Sequence, residues 1–376
     1  MSRRLLHILT PPPEDQNVTA FLAPLVANRN LLREAGITVR CFAAPQPTLA
    51  DCDVLILNSA VWRGPWSSQR DRALPFIAAV AEQVPRLLFF DRTSTAGTVI
   101  PDVLPLVHRY YKTNLLRDRA LYLRALYGLR QFTDYYHRCF DVIDAEPVWS
   151  SPVPDPRLLN KLRLSWNTAL GNYSLLGPRL GALYARFPLA ALMRPAKRFH
   201  PPSANRPIDL SCRMGLRYKY ETVAFQRRRM AELLQAYRRT DRISKFAYQR
   251  ELRRSRIVAS PFGFSEVNYK DFETFLAGAL LLKPDMGHLE TYPPLFEDGV
   301  TYVAHRWDFS DLSTVVARLL DQYAEHRHIA EAGQERYRSF TAAPGFGDRF
   351  VSYFEELLEE ADSDAAPLVD AGSNSR

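Results

Sequence analysis

The chain has 376 residues, of which 47% are apolar and 24% charged, values of an ordinary globular protein long enough for two domains. No apolar run approaches the roughly 18 residues needed to span a bilayer, and none of the four cysteines has the spacing of a metal site. We therefore expect a cytoplasmic protein that needs neither a metal nor a cofactor.

The formal net charge of +8 leaves three kinds of partner open: a nucleic acid, an anionic membrane surface or a phosphorylated small molecule. The positive charge is concentrated in residues 213–256, which hold fourteen Lys and Arg against four Asp and Glu. No recognised nucleic-acid motif accompanies them, so we expect a solvated basic face and no nucleic acid partner. A peripheral contact with the anionic inner face of a membrane stays open.

Short apolar runs alternate with helical patterns in the first half of the chain. Helical spacing covers residues 20–34 and 70–83, and this alternation predicts a parallel α/β sheet. Residues 104–130 are rich in Tyr, Leu and Arg, and we predict that they are largely helical. Buried strands are predicted at 5–9, 37–42, 53–57 and 86–90.

A proline-rich segment at 194–207 predicts a stiff linker, after which the alternation of strands and helices begins again. Strands are predicted at 208–212, 256–260, 279–283 and 301–304. Helices are predicted at 222–238, 243–254, 272–279, 311–323, 327–340 and 350–360.

The segment with the clearest chemistry runs from the strand at 256–260, through a loop that contains a glycine, into a helix beginning near Asp271. Ligands of open α/β sheets bind at the carboxyl ends of strands, where a helix N-terminus presents free N–H groups to an anion such as a diphosphate. Glu273, one turn into this helix, is placed to accept hydrogen bonds from ribose hydroxyls. The alternative is that Glu273 only favours the positive end of the helix dipole.

This segment resembles the donor-binding core of GT-B glycosyltransferases, of the "glycosyl transferases group 1" type that includes spore-maturation and surface-polysaccharide enzymes. The resemblance rests on the Ser-Pro-Phe-Gly sequence at 260–263, on Glu266, and on Phe272-Glu273 followed by Gly278. It extends over roughly residues 208–340. It implies an α/β protein with the GT-B fold, in which two facing Rossmann-like domains enclose the active site.

The resemblance also implies a division of the chain. The N-terminal Rossmann-like domain, residues 1–195, would hold the acceptor, and residues 196–207 would be the linker. The C-terminal Rossmann-like domain, residues 208–340, would bind a nucleotide-diphosphate sugar. A helix within 341–360 would return to the first domain, and residues 361–376 would be a disordered tail.

Several residues take on expected roles from this resemblance. Arg213 and Lys219 follow the first strand of the second domain, where related enzymes place cations that neutralise the departing diphosphate; a solvated basic loop is the alternative. Glu266 is a catalytic candidate that would contact the sugar. Six residues separate it from Glu273 where the superfamily has seven, and Ser265 stands at the expected position. The further donor-binding candidates are Pro261, Phe262, Gly263, Lys270, Glu273 and His288.

Asp91 follows the predicted strand at 86–90 in the first half, on the edge where GT-B acceptors bind. It is a second catalytic candidate, because it could bind acceptor hydroxyls or act as a base. The alternative is that this carboxylate only caps a turn.

The combined interpretation is a glycosyltransferase that moves a sugar from a nucleotide-diphosphate sugar to a glycan, lipid-linked or other acceptor, in surface polysaccharide or glycoconjugate synthesis. Retention of configuration and independence of metal ions are implied by the resemblance alone. The alternative is a non-catalytic protein that binds sugar nucleotides or glycans on the same scaffold. No Gly-x-Gly-x-x-Gly, Walker A or Gly-x-Ser-x-Gly sequence supports an oxidoreductase, an NTPase or an α/β-hydrolase.

Overall fold

The computed structural model describes residues 3–62, 64–93, 95–174, 176–237 and 243–363. The strands it describes are β1 (Arg4–Leu9), β2 (Ile37–Phe42), β3 (Val54–Asn58), β4 (Leu87–Asp91), β5 (Arg109–Lys112), β6 (Asn114–Leu116), β7 (Leu162–Leu164), β8 (Ile208–Ser211), β9 (Ser255–Ala259), β10 (Leu280–Pro284), β11 (Leu289–Thr291) and β12 (Val303–His305). Its α-helices are α1 (Gln16–Ala27), α2 (Arg29–Glu34), α3 (Trp66–Ala81), α4 (Gln131–Phe140), α5 (Gly177–Arg186), α6 (Glu221–Leu233), α7 (Lys245–Arg254), α8 (Tyr269–Ala277), α9 (Leu312–Asp321), α10 (Tyr323–Thr341) and α11 (Phe346–Ser363).

The N-terminal domain is built around a six-stranded parallel sheet with the order β2-β1-β3-β4-β5-β7. Every residue of β3 and β4 is buried, as expected for central strands that helices cover on both faces. The strands predicted in this half are confirmed to within one residue. Since neighbouring strands run in the same direction, their carboxyl ends meet at one edge of the sheet.

The C-terminal domain contains a four-stranded parallel sheet with the order β12-β10-β9-β8. Helix α8 connects β9 to β10, so its N-terminus lies at the carboxyl edge of this sheet. The two parallel Rossmann-like sheets flank a cavity between the domains. This arrangement confirms the predicted GT-B fold.

The prediction of a largely helical segment at 104–130 is wrong. This part of the chain contains β5, β6 and two short 3-10 turns, at Leu104–Leu106 and Arg119–Leu123. The sequence is misleading because β5 carries charged residues although all of it is buried. Arg109 donates to the carbonyl of Glu360, and Lys112 forms an ion pair with Asp91, so these charges are compensated inside the protein.

The two domains are joined by more than the linker. Strand β6 of the N-terminal domain pairs in antiparallel fashion with β11 of the C-terminal domain. Helix α4 packs against α6, and one apolar cluster runs from the N-terminal sheet through Phe132 and Phe262 to the C-terminal sheet. The cavity between the domains is therefore bordered by well-packed contacts.

Helix α11 lies on the N-terminal domain, where Phe350 and Phe354 pack edge-on against Trp166. Its backbone carbonyl at Leu357 accepts a hydrogen bond of 2.6 Å from the Tyr111 hydroxyl. The helix extends to Ser363, and the rest of the predicted tail, residues 364–376, lies outside the described residues. The predicted domain boundaries remain predictions. Among the described helices, none has the length and apolar character required to cross a bilayer.

Candidate active site

A cavity of about 430 Å³ lies between the two domains, and we call it the interdomain cavity. Helix α1, the segment after β4 and the loop around Asn167 form its N-terminal wall. Its C-terminal wall consists of Tyr218 and the loop from Gly263 to Tyr269 at the start of α8. The loop predicted from the sequence to bind a donor thus faces the opposite domain across an open space of ligand size.

Asp271 holds this loop together. Its carboxylate accepts a hydrogen bond of 2.5 Å from the Ser260 hydroxyl and one of 2.9 Å from the Asn268 backbone N–H, and it forms an ion pair of 3.1 Å with Lys283. Lys283 and Asp271 are both fully buried. The end of β9, the first turn of α8 and strand β10 are therefore fastened to one carboxylate, whose role the sequence did not indicate.

Gly263 is required by the close approach of Asn268. A Cβ atom at this position would lie 2.8 Å from the Asn268 Oδ1 atom. The Asn268 side chain caps α8 in a capping box with Asp271, and its Nδ2 donates to the Pro261 carbonyl at 2.8 Å. Gly263 and Pro261 thus shape the loop, and Gly263 also lines the cavity.

Phe262 lies in the core and not in the cavity. Its ring packs on Phe132 with centroids 4.8 Å apart, and its carbonyl accepts hydrogen bonds from the Arg227 Nε at 2.9 Å and the Gln226 Nε2 at 3.1 Å. Gln226 also accepts from the Phe262 backbone N–H at 3.2 Å. Helix α6 therefore fixes the backbone of the loop from behind.

The predicted diphosphate cations lie apart from each other. Arg213 forms an ion pair of 2.7 Å with Glu251 of α7, and Lys219 is mostly exposed and forms one of 2.7 Å with Glu146. Neither residue lines the interdomain cavity. Lys270 lies partly buried behind the loop and donates to the Arg213 carbonyl. Burial and the nearby Arg227 lower the pKa of Lys270 to about 8.

Glu273 lines a second cavity of about 650 Å³, which we call the linker cavity because residues 194–198 form part of its wall. Its carboxylate forms an ion pair with Lys245 at the start of α7. Tyr173 in the linker cavity packs against Tyr269 in the interdomain cavity, with ring centroids 5.2 Å apart and the ring planes tilted by 32°. These two rings separate Glu273 from the interdomain cavity.

Glu266 is fully buried between the domains. Neither of its carboxylate oxygens has a hydrogen-bond partner from another residue in the described part of the chain. Burial raises its pKa, and the charges of Arg130, Lys283 and Lys112 oppose this effect only in part. Its neighbours Ser265 and Val267 line the cavity, whereas Glu266 points to the interior.

His288 and Asp91 do not line the interdomain cavity. The His288 ring packs edge-on against Trp307 at 4.7 Å, and burial lowers its pKa to about 3, so it is neutral. Asp91 accepts hydrogen bonds from the Tyr110 hydroxyl at 2.8 Å and from the Lys112 ammonium at 2.9 Å. Its carboxylate also accepts from the Thr93 N–H at 2.9 Å, the contact of a turn cap.

Arg92 lines the interdomain cavity, although the sequence analysis assigned it no role. Its side chain is 6% exposed and lies 4.0 Å from Asp15. Burial lowers its pKa to about 10, so it remains a cation at neutral pH. The sequence offers one signal for Arg92, which is its position directly after Asp91 at the end of β4. Successive residues of an extended chain point in opposite directions, so Arg92 faces the side that Asp91 does not.

Residues 194–343 match the family model described as glycosyl transferase-like. The matched residues include β8 to β12 and the whole loop that faces the interdomain cavity, so the resemblance found at residues 208–340 is confirmed for this part of the chain.

Solved structures similar to the whole chain include an alpha-glucosyltransferase in complex with UDP-glucose and DNA containing an abasic site, with 8% identity and a TM-score of 0.45 over 96% of this chain and 100% of that one. HepE of Anabaena in complex with UDP-glucose has 10% identity and a TM-score of 0.41, over 94% and 100% of the two chains. Sucrose-phosphate synthase from Thermosynechococcus elongatus has 12% identity and a TM-score of 0.43, over 95% and 100%. No curated protein sequence matches the chain.

Proposed function

We propose that this protein is a glycosyltransferase that takes a sugar from a nucleotide-diphosphate donor and transfers it to a glycan, lipid-linked or other acceptor. One observation carries the proposal: within the residues that match the glycosyl transferase-like family model, the loop from Gly263 and the N-terminus of α8 form one wall of the interdomain cavity. A helix N-terminus offers unpaired N–H groups and a positive dipole end, which favour a diphosphate.

In this proposal the donor spans the region around Tyr269. The diphosphate lies beside the first turn of α8, and the nucleoside extends past Tyr173 and Tyr269 towards Glu273, whose carboxylate accepts hydrogen bonds from the ribose. In the structure the Glu273 carboxylate forms an ion pair with Lys245. Donor binding would break this ion pair and replace it with hydrogen bonds from the ribose hydroxyls.

The reaction breaks the bond between the anomeric carbon and the β-phosphate oxygen, and it forms a bond from that carbon to the acceptor oxygen. The nucleoside diphosphate leaves with the electron pair of the broken bond, and its β-phosphate oxygen takes up the proton that the acceptor hydroxyl loses. Arg92 is placed to stabilise negative charge in the cavity, because it is a buried cation that lines it. Retention of configuration, catalysis without a metal, and a role in surface polysaccharide synthesis at the cytoplasmic face of a membrane are part of the same proposal.

Donor binding can be tested by thermal unfolding in the presence of UDP-, GDP- and dTDP-sugars. A ligand at 100 times its Kd stabilises the folded state by ~2.7 kcal/mol, so at least one of these donors should raise the unfolding temperature clearly. Release of free nucleoside diphosphate from that donor then distinguishes a transferase from a protein that only binds sugar nucleotides.

Glu273→Ala should weaken donor binding by roughly tenfold or more, since hydrogen bonds to a charged group contribute ~1.5–3 kcal/mol. Glu232→Ala is the matched control, because Glu232 is exposed and its partner among the described residues is Arg229, in a surface ion pair. If none of the three classes of donor changes the unfolding temperature, the proposal is wrong. Equal donor affinity in the two variants would remove Glu273 from the site.

A further inference from the structure

A cavity of about 510 Å³ opens on the N-terminal domain, at the carboxyl ends of β3 and β4. Three of the five tryptophans of the chain line it: Trp62, Trp66 and Trp149. We call it the tryptophan cavity. Its volume is within the roughly 300–1,000 Å³ typical of small-molecule sites.

The three rings are held in fixed positions. Trp62 stacks on Phe89 with centroids 6.0 Å apart, and Trp66 stands nearly perpendicular to Trp62 at 6.4 Å. Trp149 packs edge-on against Tyr127 at 5.0 Å, yet 46% of it remains exposed. Single exposed aromatic residues are common on proteins, whereas three around one cavity are a feature to explain.

The Trp66 ring is further oriented by Asp102. Its indole Nε1 donates to Asp102 at 3.5 Å, and the same carboxylate accepts hydrogen bonds of 2.9 and 3.2 Å from Arg70. The Arg70 guanidinium lowers the pKa of Asp102, so this carboxylate stays ionised. A pre-oriented ring loses little freedom when a ligand packs on it.

Hydroxyl and carboxylate groups complete the wall between the aromatic rings. Ser59, Thr93, Thr98 and Ser150 contribute hydroxyls, and Asp91 and Asp102 contribute carboxylates. Neither Lys nor Arg is found among the described residues that line the cavity. Both carboxylates are paired with cations, Asp91 with Lys112 and Asp102 with Arg70. The cavity therefore suits an uncharged molecule that has apolar faces and a hydroxylated edge.

Residues 91–93 separate the tryptophan cavity from the interdomain cavity. Asp91 and Thr93 line the former, and Arg92 lines the latter. A molecule in the tryptophan cavity would thus lie beside the place that the proposed function assigns to the donor.

We propose that the tryptophan cavity binds a neutral pyranose of the acceptor, with the C–H faces of the sugar on the indole rings and its hydroxyls on the serine, threonine and aspartate side chains. The identification of this sugar as the acceptor rests on the proposed function, whereas the binding of a neutral sugar in the tryptophan cavity can be tested by itself. It makes the acceptor a carbohydrate, free or lipid-linked, that presents an uncharged sugar to the enzyme.

The test uses the methyl glycosides of glucose, galactose, mannose and N-acetylglucosamine, measured by saturation-transfer NMR and by tryptophan fluorescence. At least one of them should receive saturation through the C–H protons of one sugar face and change the fluorescence. Glucose 1-phosphate should bind more weakly than the neutral glycosides, because no Lys or Arg among the described lining residues is available to pair with its phosphate.

Trp149→Ala should weaken this binding about tenfold, which corresponds to ~1.4 kcal/mol, and Trp149→Phe should restore most of it. Phe187→Ala is the control, because Phe187 is 50% exposed and lines none of the three cavities. The inference is overturned if no methyl glycoside binds, if Trp149→Ala binds as well as wild type, or if glucose 1-phosphate binds best.

The UDP-, GDP- and dTDP-sugar unfolding assay on Trp149→Ala separates the two proposals. An undiminished donor response with lost glycoside binding supports both. Glycoside binding without any donor response in the wild-type protein would overturn the proposed function and leave the sugar site standing.

Discussion

Replacing Gly263 by alanine tests the candidate site directly, because the new methyl group would clash with an identified neighbouring side chain. The added Cβ would lie 2.8 Å from the Asn268 Oδ1 atom and 3.5 Å from an Arg227 terminal nitrogen. The Asn268 side chain cannot simply rotate away, since it caps α8 and donates to the Pro261 carbonyl at 2.8 Å.

The expected loss of stability follows from the two Asn268 contacts that the new methyl group would break, the cap of α8 and the hydrogen bond to the Pro261 carbonyl. Loss of a side-chain cap lowers stability by ~0.5–2 kcal/mol, and loss of one neutral hydrogen bond by ~0.5–1.5 kcal/mol. We therefore expect Gly263→Ala to lower the free energy of unfolding by about 1–3 kcal/mol. For a domain of 150–250 residues each kcal/mol corresponds to roughly 2–4 °C in Tm.

The measurement is thermal and denaturant unfolding of Gly263→Ala beside Gly215→Ala. Gly215 is the matched control, because a Cβ at that position meets no atom within 4 Å. The donor that stabilises the wild-type protein should also stabilise Gly263→Ala less, since the displaced loop forms a wall of the interdomain cavity.

Equal unfolding free energies in Gly263→Ala and Gly215→Ala would refute this reasoning. That result would mean that the cap relaxes without loss and that the glycine is not needed for the close approach. A stability loss without any change in donor binding would separate the shape of the loop from the proposed donor site.

Two further substitutions test the buried charges. Lys283→Met leaves the fully buried Asp271 without its cation and should lower the free energy of unfolding by about 3–5 kcal/mol. Adding Asp271→Asn to this variant should restore a part of the lost stability. Denaturant unfolding of the two single variants and the double variant measures both effects. Glu266→Gln should be more stable than wild type at pH 7–8, with a difference that shrinks as the pH falls. Burial raises the folded-state pKa of Glu266, so the wild-type protein bears the cost of the ionised carboxylate above that pKa and loses it on protonation.

Each of these has a contradicting outcome. If the double variant is no more stable than Lys283→Met, the two residues are not coupled. Glu359→Gln, at an exposed position of α11, controls for the general effect of removing a carboxylate. If Glu266→Gln is less stable than wild type at pH 8, the neighbouring cations outweigh burial and the ionised form is the favoured one.

The sequence predicted the first four strands well. Strand β2 has the predicted bounds, β1 begins one residue earlier than predicted, and β3 and β4 each begin and end one residue later. Prediction failed at β5, whose arginine, tyrosines and lysine are all buried, because their partners come from distant parts of the chain. A local pattern cannot reveal a charge that is compensated by a residue in another element.

The candidate site shows the same division. The loop at 260–263 and the helix after it could be assigned from the order of residue types, since a strand, a glycine loop and a helix N-terminus are local features. Which cations face the cavity could not be assigned, because this depends on how two domains pack. Arg213 and Lys219 form ion pairs with carboxylates outside the interdomain cavity, whereas Arg92 lines it.

The sequence by itself determined the two α/β halves and the loop that faces the cleft, because these depend on periodicity and on glycine and proline at short range. Only the tertiary structure decided which residues share a cavity. Glu273 lines the linker cavity and not the interdomain cavity, and Glu266 is buried without a hydrogen-bond partner among the described residues. Trp62 and Trp66 line one cavity together with Trp149, which is far from them in the sequence. Such groupings depend on residues far apart in the chain, whose proximity is set by the packing of the sheets and not by any neighbouring residue.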